Sequence, residues 1–140
     1  MMQLLPALAA AVVVVGLASS SAAAQRSVWS GVYTKAQAQQ GQIVYARACA
    51  SCHGPSLQGA EQAAPLTGAS FAANWNGRAL GELFEIMRLS MPGDDPGTLT
   101  MEQNADLLAY ILSVGKFPAG NAVLPGDRAA LDAITFATKR

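Results

Sequence analysis

Histidine and cysteine are scarce in this chain, with one histidine and two cysteines in 140 residues. A structural zinc site closes on four Cys or His ligands, so these three residues cannot complete one alone. A Ser-His-Asp hydrolytic set would have only His53 to draw on. Charge is sparse and balanced: nine basic and nine acidic residues, formally neutral, all lying after position 25. That balance excludes the broad basic patch of a nucleic-acid binder and gives no strong long-range steering towards a highly charged partner, although a local patch stays open. Long apolar runs are missing too. Leu4 to Leu17 is nearly all apolar, broken by Pro6 and Gly16, and falls short of the roughly 20 residues a membrane span needs. No internal repeat, heptad run, second domain or phosphate-cradling loop is visible.

What chemistry there is sits in one turn. Cys49-Ala50-Ser51-Cys52-His53 uses both cysteines and the only histidine, and C-x-x-C-H is the attachment pattern of c-type haem. Each thiol adds to a haem vinyl group as a thioether. Two intervening residues bring both sulfurs round one helical turn to the same porphyrin edge, and the adjacent imidazole lies below the ring as proximal ligand. A disulfide or a redox dithiol also uses C-x-x-C, but the thioredoxin type wants a βαβ context, and no strand-rich stretch surrounds this one.

The N-terminus gives the compartment. After the apolar run comes a small, polar stretch from Ser19, ending in Ala22-Ala23-Ala24, an A-x-A-like cleavage site that predicts a mature chain starting at Gln25. No Lys or Arg precedes the apolar run, and an uncleaved membrane anchor is the alternative. Export to the periplasm agrees with covalent haem attachment.

Along the mature chain, residues 26–33 form an arm with Trp29 and Tyr33. A first helix is predicted from Thr34 to Cys49, with Thr34 as N-cap and Gly41, Val44, Tyr45 and Ala48 as its core stripe. Gly41 in a helix costs about 1 kcal/mol against alanine; a close helix crossing and a neutral surface glycine are both open readings. A long loop follows to Asn76, functional if it wraps a haem edge. A middle helix is expected over Ala79–Leu89, with Leu80, Leu83, Phe84 and Met87 on one face. Met91-Pro92-Gly93-Asp94-Asp95-Pro96-Gly97 breaks it. A third helix starts at Thr100, with Gln103 completing a capping box, and stops at Gly115 after Leu108, Ala109, Ile111 and Leu112. The tail holds a short helix near Asp127–Phe136.

In order, Gly41-x-x-x-Tyr45, the haem turn, Pro65-Leu66, Met91-Pro92 and Ala109-Tyr110-Ile111-Leu112 resemble the class I c-type cytochromes, monohaem electron carriers, over about Gln37 to Val114. The Met-Pro-x-x-x-Pro-Gly-x-Leu stretch at 91–99 is similar to cytochromes that accompany quinoprotein alcohol or sugar dehydrogenases. The resemblance implies an all-α cytochrome c fold, three main helices packed around a covalently attached haem c with long loops. It divides the chain into signal peptide 1–24, N-terminal arm 25–36, cytochrome c domain 37–115 and a C-terminal extension 116–140 packed on that domain.

It also implies a site: thioethers at Cys49 and Cys52, and iron held by His53 and Met91. One histidine excludes a two-histidine haem within a monomer, and a thioether sulfur raises the potential of haem iron. Met87 fits a core stripe, Met101 can cover the core, and Met91 stands at a helix exit where Pro92 biases it towards extended backbone. The family suggests that the Pro65 carbonyl orients His53, the alternative being a turn proline. Trp75, Asn76 and Arg78 could hold haem propionates, or cap the surface. Leu57, Leu66, Phe71, Leu83, Ile86 and Leu99 are expected as the apolar haem wall.

The expected function is a periplasmic one-electron carrier, not an enzyme, moving electrons from a dehydrogenase to a terminal oxidase or another cytochrome. The thioether side around Ala50, Ser51 and Gly54 is the expected docking surface. A permanently bound subunit of a dehydrogenase complex, and a haem enzyme or gas sensor with an open distal site, are the alternatives.

Overall fold

Thr34 opens the first long helix because its hydroxyl accepts from the Gln37 backbone N–H, satisfying a donor the first turn leaves free. Helix α1 (Lys35–Ala48) then runs into the haem turn, which is itself a short helix, α2 (Ala50–His53). The computed structural model describes residues 25–140, so the leader and its cleavage site lie outside the described residues. Four further helices follow: α3 (Gly68–Trp75), α4 (Leu80–Ser90), α5 (Met101–Val114) and α6 (Arg128–Asp132). The all-α expectation holds, with α1, α4 and α5 as the main helices. Among the described residues no helix is long and apolar enough to cross a membrane.

The three long helices lie where the apolar periodicity puts them, since burying one face of each is what stabilises them. Val44 and Tyr45 of α1, Leu80, Leu83, Phe84 and Met87 of α4, and Leu108, Ala109, Ile111 and Leu112 of α5 are all buried. At α5 the capping box is complete: the Thr100 hydroxyl accepts from Gln103 N–H, and Gln103 Oε1 accepts from Thr100 N–H. Two local expectations differ. The segment after His53 is not one loop, because Gly68–Trp75 coils into α3 and presents Phe71 to the core. Its alanine- and glycine-rich sequence offered only Phe71 and Trp75 as periodic anchors. The tail helix is shorter than expected. It ends at Asp132, and Ile134–Thr135 forms strand β2, which pairs in parallel with β1 (Arg26–Ser27).

That pairing joins the arm and the extension. The Gln37 amide makes two bonds to the Leu124 backbone: Nε2 donates to Leu124 O, and Oε1 accepts from Leu124 N, each at 2.8 Å. Phe71, Phe136, Phe117 and Trp29 pack edge-on in succession, with centroids 5.9, 5.1 and 4.8 Å apart. Each such pair adds about 0.5–1.5 kcal/mol beyond its burial, which explains how a tail containing Pro118 and Pro125 stays docked.

Gly41 resolves to a close helix crossing. A Cβ there would collide with the Asp106 backbone and the Tyr110 side chain on α5, so α1 and α5 approach as closely as they do only because position 41 lacks one. Gly41→Ala is expected to destabilise the holoprotein by about 2 kcal/mol, the overpacking penalty less the gain in helix propensity. For a domain of this size that lowers Tm by about 10 °C, measured by thermal unfolding followed at the haem band.

Candidate functional site

The haem turn is held from both sides. Tyr45, buried on α1, donates its hydroxyl to the Gly54 carbonyl at 2.6 Å, across the turn from the helix it sits on. Burial, first, and the neighbouring Cys49 push the Tyr45 phenol up to about 12, so it remains a donor at any physiological pH. Gly54 has φ +82, a left-handed conformation that favours glycine, and this lets the chain leave the turn directly after His53.

His53 itself is fixed by one contact. Its Nδ1 lies 2.8 Å from the Ala64 carbonyl. A carbonyl only accepts, so Nδ1 carries the proton and Nε2 keeps its lone pair free for a metal. The expected acceptor, the Pro65 carbonyl, is displaced by one residue. Ala60 and Ala63 bridge each other and the Leu66 N–H bonds Leu57 O, and this fold of the loop turns the Ala64 carbonyl towards the imidazole. Pro65 lines the cavity beside it. Cys49 is half-buried and Cys52 exposed. Burial, then the nearby Cys52, pushes the Cys49 thiol up to about 11, so before attachment it rests as a neutral, weakly reactive thiol.

These residues open onto a cavity of about 420 Å³. Cys49, Cys52 and His53 lie on its wall with Met87 and Met91, and Leu66, Phe71, Leu83, Ile86 and Leu99 line it as expected. Of the expected wall only Leu57 is absent; it is fully buried in the core instead. Met91 follows the last turn of α4 with extended backbone (φ −123, ψ 151), while Met101 is on the surface and off the wall. Trp75 lines the cavity, but Arg78 does not. The Arg78 guanidinium binds Glu82, one turn along, at 2.7 Å and lies over the Trp75 ring at 4.1 Å. Asn76 is also engaged elsewhere, its Oδ1 accepting from the backbone and hydroxyl of Thr138.

The wall has members that residue type alone did not single out: Asn74, Asn104 and Leu107. Asn104 carried a readable signal, a polar residue in the stripe 104, 107, 108, 111 of α5. Its Nδ2 donates to the Leu99 and Thr100 carbonyls, and its buried Oδ1 has no partner among the described residues.

The donor set fits haem c. Two thiols two residues apart, an imidazole with a free Nε2, methionine sulfur on the same wall and an otherwise apolar lining are the groups that covalent haem and its iron require.

Comparison with known proteins agrees with this chemistry. Residues 36–111, more than half of the chain, match the family model described as cytochrome C oxidase, cbb3-type, subunit III. Among solved structures, the sulfane dehydrogenase SoxCD from Paracoccus pantotrophus has a similar fold, with a TM-score of 0.53 at 17% identity. The match covers 77% of this chain and 61% of that one, so this chain spans less than two thirds of its length. No curated protein sequence matches.

Proposed function

The chain belongs to the c-type cytochrome family described as cytochrome C oxidase, cbb3-type, subunit III, and from that membership we propose that it is a periplasmic one-electron carrier with a His/Met-ligated haem. The haem c is covalently attached, and its iron supplies a reversible one-electron couple. The observation that carries the reading is the single wall shared by Cys49, Cys52, His53 and Met91.

Each residue has a task in that reading. Cys49 and Cys52 anchor the porphyrin edge. His53 presents Nε2 to iron, held in that tautomer by the Ala64 carbonyl. Met91 would supply sulfur to the iron, which raises the potential by favouring the ferrous state. The apolar side chains of Leu66, Phe71, Leu83 and Leu99 exclude water and act in the same direction. Trp75 is the remaining candidate from the sequence for a propionate donor, because its indole faces the cavity wall while Arg78 is occupied by Glu82.

With His53 and Met91 both committed to a bound haem, no ligand position would be left open for a substrate, and the group would supply one-electron transfer. The donor is a dehydrogenase, a quinoprotein by the resemblance of residues 91–99, and the acceptor a terminal oxidase or another cytochrome. Similarity in fold to a chain of a sulfane dehydrogenase supports pairing with a dehydrogenase. Such encounters use small, weak interfaces.

Carbon monoxide tests the reading. The ferrous holoprotein is expected to show no carbon monoxide spectrum on the seconds timescale and to take up one electron per haem in a redox titration. Rapid carbon monoxide binding would favour the open-site alternative of an enzyme or sensor.

A further inference from the structure

The chain is formally neutral, yet its unpaired charges are sorted in space. Arg78, Arg88 and Arg128 are paired along their own helices with Glu82, Glu85 and Asp132. Three of the remaining acids lie on the cavity wall or next in sequence to it. Asp94 lies on the cavity wall, Asp95 follows it, and Glu61 immediately precedes the wall residue Gln62. All three are exposed and none is in an ion pair among the described residues. Arg47 is the one unpaired cation near the haem turn in sequence.

Two unpaired cations lie at the other end. Lys35 and Lys116 line a groove of about 450 Å³ formed by the start of α1 and the end of α5. The cavity is walled by the opposite ends of the same two helices, Tyr45 and Ala48 of α1 with Asn104 and Leu107 of α5. Arg26, Lys139 and Arg140 belong to the arm and tail; Thr138, next to Lys139, bonds Asn76 beside the wall residue Trp75, and Arg140 lies 5.1 Å over the Trp29 ring. Glu102 and Asp106 lie on α5 and Asp127 caps α6. At the mouth, Ile86 on the cavity wall and Leu89, three residues further along α4, are 45% and 56% exposed. They supply the apolar centre that a transient interface needs inside a polar rim.

We propose that this acid-rimmed mouth docks a redox protein whose electron-transfer face is ringed by Lys and Arg. The inference rests on the electron-carrier reading and adds to it the sign of the partner. The attraction weakens as salt screens it beyond a Debye length of about 10 Å at 0.1 M.

The test is stopped-flow oxidation of ferrous holoprotein by two small probes, the trication tris(phenanthroline)cobalt(III) and the trianion ferricyanide, over a range of ionic strength. The cobalt rate is expected to fall as salt rises and the ferricyanide rate to climb. Asp94→Asn with Asp95→Asn is expected to slow the cobalt reaction at low salt by at least about threefold, a modest share of the tenfold or more that focused fields produce. Ala36→Lys with Gln40→Lys makes the same change in net charge on exposed α1 positions before the crossing, and is expected to leave that rate nearly unchanged. Salt dependences that are flat or reversed, or equal effects from the two double variants, overturn the inference while the carrier reading stands. Failure of both probes to oxidise the haem at any salt overturns both.

Discussion

Met91→Ala removes the long-wavelength ferric absorption band that reports sulfur on iron, and the ferrous variant then binds carbon monoxide rapidly. The reduction potential falls on the order of 100 mV, well inside the ~0.8 V over which axial ligands tune haem. Two methionines reach the cavity wall, so the paired control is Met87→Leu. Met87 is buried on the core face of α4 with Leu80, Leu83 and Phe84, and a volume-conserving change there costs less than about 1.5 kcal/mol and leaves the band in place. Absorption and potentiometric titration of both variants decide between them. A band that survives Met91→Ala and disappears in Met87→Leu would move the ligand one turn back along the helix.

The double substitution Cys49→Ala with Cys52→Ala is expected to abolish retention of haem through denaturation and organic extraction, with the added porphyrin mass lost by mass spectrometry. Its effect on folding is as large. A cavity of about 420 Å³, at the ~24 cal/mol per Å³ measured for cavities left in cores, corresponds to about 10 kcal/mol. That figure is an upper bound because the mouth is open, yet it is comparable with the whole stability of a small domain, about 5–15 kcal/mol. The haem-free chain is therefore expected to melt without a cooperative transition, read by near-ultraviolet circular dichroism. A sharp, native-like melt of haem-free protein would show that the helices form a core without the cofactor.

Short-range patterns were readable in the chain with little loss. The α1 cap at Thr34, the Thr100–Gln103 capping box and the apolar faces of α4 and α5 depend on residues within one or two turns of each other, and each is where its spacing puts it. The differences at the site are non-local, with one exception, a competing ion pair within one turn. Ala64 and not Pro65 meets His53 because the loop folds back through the Ala60–Ala63 bridge, and a carbonyl's direction is not encoded by its own side chain. Arg78 has the right chemistry for a propionate, but Glu82 at i+4 captures it first. Leu57 is apolar as a wall residue must be, and lies fully buried off the wall.

The sequence by itself determined the cofactor and how it is attached, because thioether spacing and the proximal imidazole are contained in five consecutive residues. It also determined that the chain is helical, since helical periodicity is local. Only the tertiary structure decided which carbonyl orients the imidazole, that Met91 shares a wall with His53, and that Asp94 lies on that wall while Lys35 and Lys116 line a separate groove. Those properties depend on distances between residues up to dozens of positions apart, and such distances exist only once the helices have packed.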